Sequence, residues 1–208
     1  MSPRAIAVTG SMGSGKSAVA GWLAQSWALP VYDADAEVKS LLTPGQQGWQ
    51  RLRAILPPVF FDDESRLLKS KLRQAIFSDS ALRRMVEQAL HPLVLANLVQ
   101  KTAGFTCPCL VEVPLLFEAN WQSYFRAVVV VHADVKTCVK RITTRDGVTE
   151  AQALAALSAQ MPIQDKIALA DFCIDNGGTW SDTLAQIKGI KITGDPSFEK
   201  KTLDTLGS

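Results

Sequence analysis

The chain has 208 residues, with 47% apolar and 20% charged residues, near the averages that exclude disordered and fibrous classes. A length of about one to one-and-a-half ordinary domains buries a core without a disulfide or metal staple. Its 22 Lys and Arg against 20 Asp and Glu leave a formal charge of +2, too even a balance for a global basic field, so no nucleic-acid partner is expected.

The first residues contain a short apolar run but no extended hydrophobic region or small-residue cleavage site. No stretch approaches the ~20 residues that span a bilayer, so a cytoplasmic location and no membrane partner are expected. Residues 5–9 (Ala-Ile-Ala-Val-Thr) form an apolar run without alternation, the pattern of a strand covered on both faces in a parallel sheet. A helical pattern follows over 16–27, then a weaker strand from Leu29 to Tyr32. Residues 36–80 hold helical patches with Pro44-Gly45 and Pro57-Pro58 punctuation and no clear strand, and read as a helical insertion. A long helix is predicted over 79–102, where Leu82, Met85, Val86, Ala89 and Leu90 keep helical spacing and Pro92 interrupts.

Further strands are predicted at Leu110–Val113, Ala127–Val131 and Phe172–Ile174, with a helix over 135–146. Residues 147–168 read as helical, opened by Thr149 and Gln152 in capping-box spacing. Strands separated by helices imply an α/β fold with a parallel sheet. No internal repeat is present, and the polar tail from Asp195 reads as a frayed helix or disorder. Cys107 and Cys109 lack the C-x-x-C spacing of zinc and redox sites, while Cys138 and Cys173 interrupt apolar runs, so all four read as structural.

Gly10-Ser11-Met12-Gly13-Ser14-Gly15-Lys16-Ser17 matches G-x-x-x-x-G-K-[ST] in full, between a buried strand and an amphipathic helix. Glycines let successive backbone N–H groups turn toward a phosphate, and the helix N-terminus adds partial positive charge. Lys16 reaches β- and γ-phosphates and the Ser17 hydroxyl suits Mg²⁺, which makes the loop a nucleoside triphosphate site.

Asp33 and Asp35 follow the second strand, where ligands of open parallel sheets bind. One is expected to cap the helix near Ala36 and the other to serve chemistry, as proton acceptor or metal ligand. Glu112, inside an apolar strand, reads either as an Mg²⁺ ligand or as a strand-end acid facing solvent. Arg141 and Arg145 share one helix face, suited to phosphate contact or to plain solvation. His91 reads as a packed or substrate-facing histidine, Gln160-Met161-Pro162 as a turn, and Asn176 as turn chemistry or a base or ribose contact.

Together these stretches resemble the dephospho-coenzyme A kinase family, in order over roughly residues 5–178. The resemblance rests on the loop through Lys16-Ser17, Tyr32-Asp33-Ala34-Asp35, Leu90-His91-Pro92-Leu93, Val113 to Glu118, and Lys140 to Asp146. Gln160-Met161-Pro162, Lys166, Ala170-Asp171 and Ile174 to Gly177 complete it. It implies a P-loop NTPase-type parallel sheet flanked by helices, with a core of 1–35, 91–140 and 166–194, a substrate-binding helical insertion at 36–90, a lid at 141–165 and a tail at 195–208. It also implies ATP and Mg²⁺ as cofactors and 3′-dephospho-coenzyme A as substrate, phosphorylated at its ribose 3′-hydroxyl by a monomer or weak homo-oligomer.

The resemblance carries roles to Asp35 as base and to Lys16 and Arg141 as catalytic cations. It assigns nucleotide contacts to residues 10–17 with Ala18, Arg145 and Asn176, and metal contacts to Ser17 and Glu112. Substrate contacts fall to Thr9, Asp33, Lys69, His91, Pro114 and Leu115. The chain departs from the family pattern at Ala18 for a second hydroxyl, Lys69 for an arginine, Glu112 for an aspartate and His132 for an acid. The competing readings are another small P-loop kinase acting on a nucleoside monophosphate or metabolite, and a non-catalytic nucleotide switch.

Overall fold

The computed structural model describes residues 5–103 and 107–190. Five parallel strands form one sheet in the order β2-β3-β1-β4-β5: β1 (Ala5–Gly10), β2 (Val31–Asp33), β3 (Cys109–Glu112), β4 (Ala127–His132) and β5 (Phe172–Asp175). Every residue of β1 is buried because it lies between two strands and beneath helices, which explains the unalternating run. Ile6 and Val8 of β1, Leu110 of β3 and Val129 and Val131 of β4 meet α1 (Lys16–Trp27) and α9 (Trp180–Lys188) through Val19, Leu23 and Ile187. Full burial of each such side chain stabilises the fold by about 1.5–3 kcal/mol.

The weaker strand forms at Val31–Asp33 rather than Leu29–Tyr32. Leu29 enters the core, the carbonyl of Pro30 accepts from Leu110, and the edge position leaves Val31 exposed, so apolar pattern and strand are out of step. The helical stretch expected over 147–168 divides into α7 (Glu150–Ser158), opened by the Thr149 capping box, and α8 (Ile163–Ala168), with Pro162 at its start. α7 packs on α6 (Val135–Asp146) through Val139, Ile142 and Ala153, joined by Met12 and Leu157.

The chain divides into two compact units, residues 1–33 with 102–208, and Ala34–Lys101. Residues 141–165, the expected lid, belong to the larger unit, and the tail expected from Asp195 lies outside the described residues. The smaller unit extends past the expected 36–90 because its last helix runs on through Pro92. It comprises α2 (Ala34–Leu41), α3 (Gln47–Ile55), α4 (Lys69–Ser78) and most of α5 (Ser80–Ala103). Leu52, Phe60, Phe61, Leu72, Val86 and Leu90 make its core. Buried Glu37 accepts from Asn97 Nδ2 at 2.8 Å and pairs with Lys101, joining α2 to α5. Burial pushes that carboxyl up, but Lys101 and Asn97 outweigh it and hold it below its ordinary value.

Candidate active site

The glycine spacing follows from the space around the loop. A Cβ on Gly10 would lie 2.0 Å from the Val131 carbonyl oxygen, so only glycine lets β1 end against β4. Gly13 and Gly15 hold φ of 77° and 86°, left-handed values that glycine adopts without strain. A Cβ on Gly15 would also fall 2.2 Å from Asn176 Nδ2. Gly15 opens α1 with no side-chain cap and no acid in the first turn. That helix end therefore carries partial positive charge on backbone amides that no side chain caps, the electrostatics of an anion site.

The Ser17 hydroxyl donates to Glu112 Oε1 at 2.6 Å, bringing together the two expected metal ligands, and Asp33 stands in register with Glu112. Hydroxyl and carboxylate oxygens are the hard donors Mg²⁺ takes alongside substrate phosphates, so the pair fits that ion. Among the described residues no cluster of three or more His, Cys, Asp or Glu side chains forms a further metal site.

Asp134 caps α6 by accepting the Thr137 amide at 2.8 Å, and Gly147 ends the helix at φ 66°. Gly13, Gly15, Lys16 and Ser17 form one side of a cleft of about 750 Å³, and Thr137, Lys140, Arg141, Thr144 and Arg145 of α6 form the other. That volume falls within the range of small-molecule sites. Arg141 donates to the carbonyls of Gly13, Ser14 and Asn176 at 3.4, 3.3 and 2.9 Å. Arg145 borders the cleft while forming two 2.7 Å bonds to Asp146.

Two of the expected contact residues, Asn176 and Thr9, have side chains bonded within the protein. Asn176 is 6% exposed; its Nδ2 donates to the Ser14 carbonyl at 2.8 Å and its Oδ1 accepts from Thr183 at 2.9 Å, so it braces the loop. Thr9 is fully buried and donates to the Pro114 carbonyl at 3.4 Å, a tie between β1 and the chain beyond β3. Leu115, next along, is exposed. His132 Nδ1 lies 3.9 Å from Asp175 Oδ1 across neighbouring strands, where an acid would face a like charge.

In the smaller unit α2 begins at Ala34, two residues earlier than expected, so Asp35 lies exposed in its first turn and Asp33 directly precedes the helix. Lys69 opens α4, exposed, and His91 is half-buried in α5. Burial lowers the His91 imidazole below its usual 6.5, partly opposed by Glu87.

Several site residues escaped the sequence reading. Thr137, Lys140 and Thr144 share the face of Arg141 and Arg145, a polar stripe at i, i+3, i+4, i+7 and i+8 that helical spacing reveals. Gln160 looked like plain turn chemistry, yet its Oε1 accepts the Met12 amide of the loop at 2.9 Å. No local signal marks it, because the partners are 148 residues apart.

A strand, a glycine-turned loop and an uncapped helix facing a basic helix on a parallel sheet define a P-loop kinase. A family model for dephospho-CoA kinase matches residues 4–182. The dephospho-CoA kinase of Synechocystis sp. is 32% identical over 191 residues, covering 88% of this chain and 92% of the relative. The chain belongs to the dephospho-CoA kinase family. A Thermus thermophilus protein of solved structure, 31% identical, superposes with a TM-score of 0.78 over 92% of this chain and 99% of that one. The dephospho-CoA kinase from Campylobacter jejuni, 22% identical, shares the fold at a TM-score of 0.60 over 98% and 95% of the two chains.

Proposed function

We propose that the chain transfers the γ-phosphoryl group of ATP to the ribose 3′-hydroxyl of 3′-dephospho-coenzyme A, giving coenzyme A and ADP. The observation that carries this reading is the cleft between the uncapped start of α1 and the basic face of α6, in a chain of this family. Phosphoryl transfer depends on positioning and charge neutralisation more than on covalent help. The loop amides and Lys16 hold the β- and γ-phosphates. Ser17 and Glu112 hold Mg²⁺, which supplies charge neutralisation on those phosphates. Asp35, exposed in the first turn of α2, accepts the proton of the ribose hydroxyl.

Arg141 and Arg145 turn from their present partners to the transferring group, with residues 141–165 acting as the lid that excludes water. Lys69, His91 and Asp33 contribute to acceptor binding. The enzyme acts in the cytoplasm as a monomer or weak homo-oligomer. Mass detection of phosphorylated acceptor tests these roles. Asp35→Asn lowers kcat by on the order of 10² if it is the base, and Lys16→Ala abolishes transfer while leaving the circular dichroism spectrum unchanged. Near-normal turnover in Asp35→Asn removes the base from this mechanism, and activity in Lys16→Ala moves the nucleotide site elsewhere.

A further inference from the structure

Lys166 is fully buried on α8, its Nζ 2.8 Å from Oε1 of Glu118. The same oxygen accepts the Met161 amide at 3.0 Å. The neighbouring residue, Gln160, accepts the Met12 amide in the phosphate loop at 2.9 Å. The Met12 side chain is held as well, against Val139, Ile142 and Ala153 of the α6–α7 cluster. A buried ion pair is poor evidence of stability, since apolar residues of similar volume serve as well or better. Glu118 Oε2 and Lys166 Nζ lack well-formed hydrogen bonds among the described residues, so this pair is not optimised for cohesion. What it does fix is the turn at 160–162.

We propose that Gln160 is a positioning residue for the phosphate-binding loop, holding the Met12 amide, and that the buried Glu118–Lys166 pair sets its place through the Met161 amide. The loop precedes α1, so a shift at Met12 displaces the neighbouring backbone amides on which nucleotide binding depends. The inference rests on the reading of this loop as an ATP site.

The test is ATP affinity, measured calorimetrically without acceptor, together with amide exchange at Met12. Gln160→Met keeps the side chain's length and removes the acceptor. ATP binding is expected to weaken about tenfold, the scale of one lost hydrogen bond, with faster Met12 exchange and an unchanged circular dichroism spectrum. The double variant Glu118→Leu/Lys166→Met replaces the pair without leaving a lone buried charge and is expected to fold and show the same loss. Adding Gln160→Met to that double variant is expected to cost nothing more, because the two act in series.

ATP affinity within twofold of the parent in Gln160→Met overturns the proposal. A full second loss in the triple variant overturns the route through the ion pair. Because no acceptor is present, a parent that binds ATP but fails to phosphorylate dephospho-coenzyme A overturns the activity reading alone.

Discussion

The Arg141 guanidinium donates to three backbone carbonyls, two in the phosphate loop and one at Asn176, so it braces the loop it was expected to serve. A cation so placed shapes the loop before nucleotide arrives. The glycines, Lys16 and Ser17 were legible because their chemistry is local and their spacing is the mechanism. Asn176 was not, since its partner Ser14 lies 162 residues away and a strand-end Asn reads as turn chemistry until the strands are assembled.

His91 supports a prediction at the same scale. Burial depresses its pKa below 6.5, so the unfolded chain binds the proton more readily and folding stability is lost as pH falls below about 6.5. Glu37, held below its ordinary 4.5, acts only at lower pH. Thermal melts from pH 7 to 5 are therefore expected to show a falling melting temperature that flattens in His91→Gln. An equally steep fall in the variant removes His91 from the pH response.

Among the elements, the two strands buried in the sheet, β1 and β4, and two helices with one face in the core, α1 and α6, were read with boundaries close to the structure. The errors lie at edges, where packing rather than pattern decides, as in β2 and in the break between α7 and α8. The end of α1 carries a local strain that composition does not announce. Ala28, exposed, adopts φ 49° and ψ 44° at the helix C-terminus, a left-handed conformation costly for a residue with a Cβ. Ala28→Gly is expected to stabilise the protein by about 0.5–1 kcal/mol, the relief of strain exceeding the added freedom of the unfolded chain. Urea titration reads this directly, and a lower midpoint with unchanged slope would show that the turn accommodates alanine without strain.

For the molecule as a whole, the formal charge of +2 concealed a local arrangement. Lys16, Lys140, Arg141 and Arg145 all border one cleft, with Glu112 bonded to Ser17 at its edge. Polyphosphate affinity follows from that placement rather than from the total. The division into an α/β unit and a helical unit was legible as a loss of strand rhythm after residue 36, whereas its far boundary was hidden by a helix that continues through Pro92.

A kinase of this kind transfers phosphate from ATP only when its acceptor is present. This dependence is tested most directly by the rate of ADP release with Mg²⁺ and ATP under three conditions: no acceptor, AMP, and 3′-dephospho-coenzyme A. Rapid release is expected with dephospho-coenzyme A alone, and a background rate in the other two. Equal release in all three, or release driven by AMP and not by dephospho-coenzyme A, would contradict this expectation.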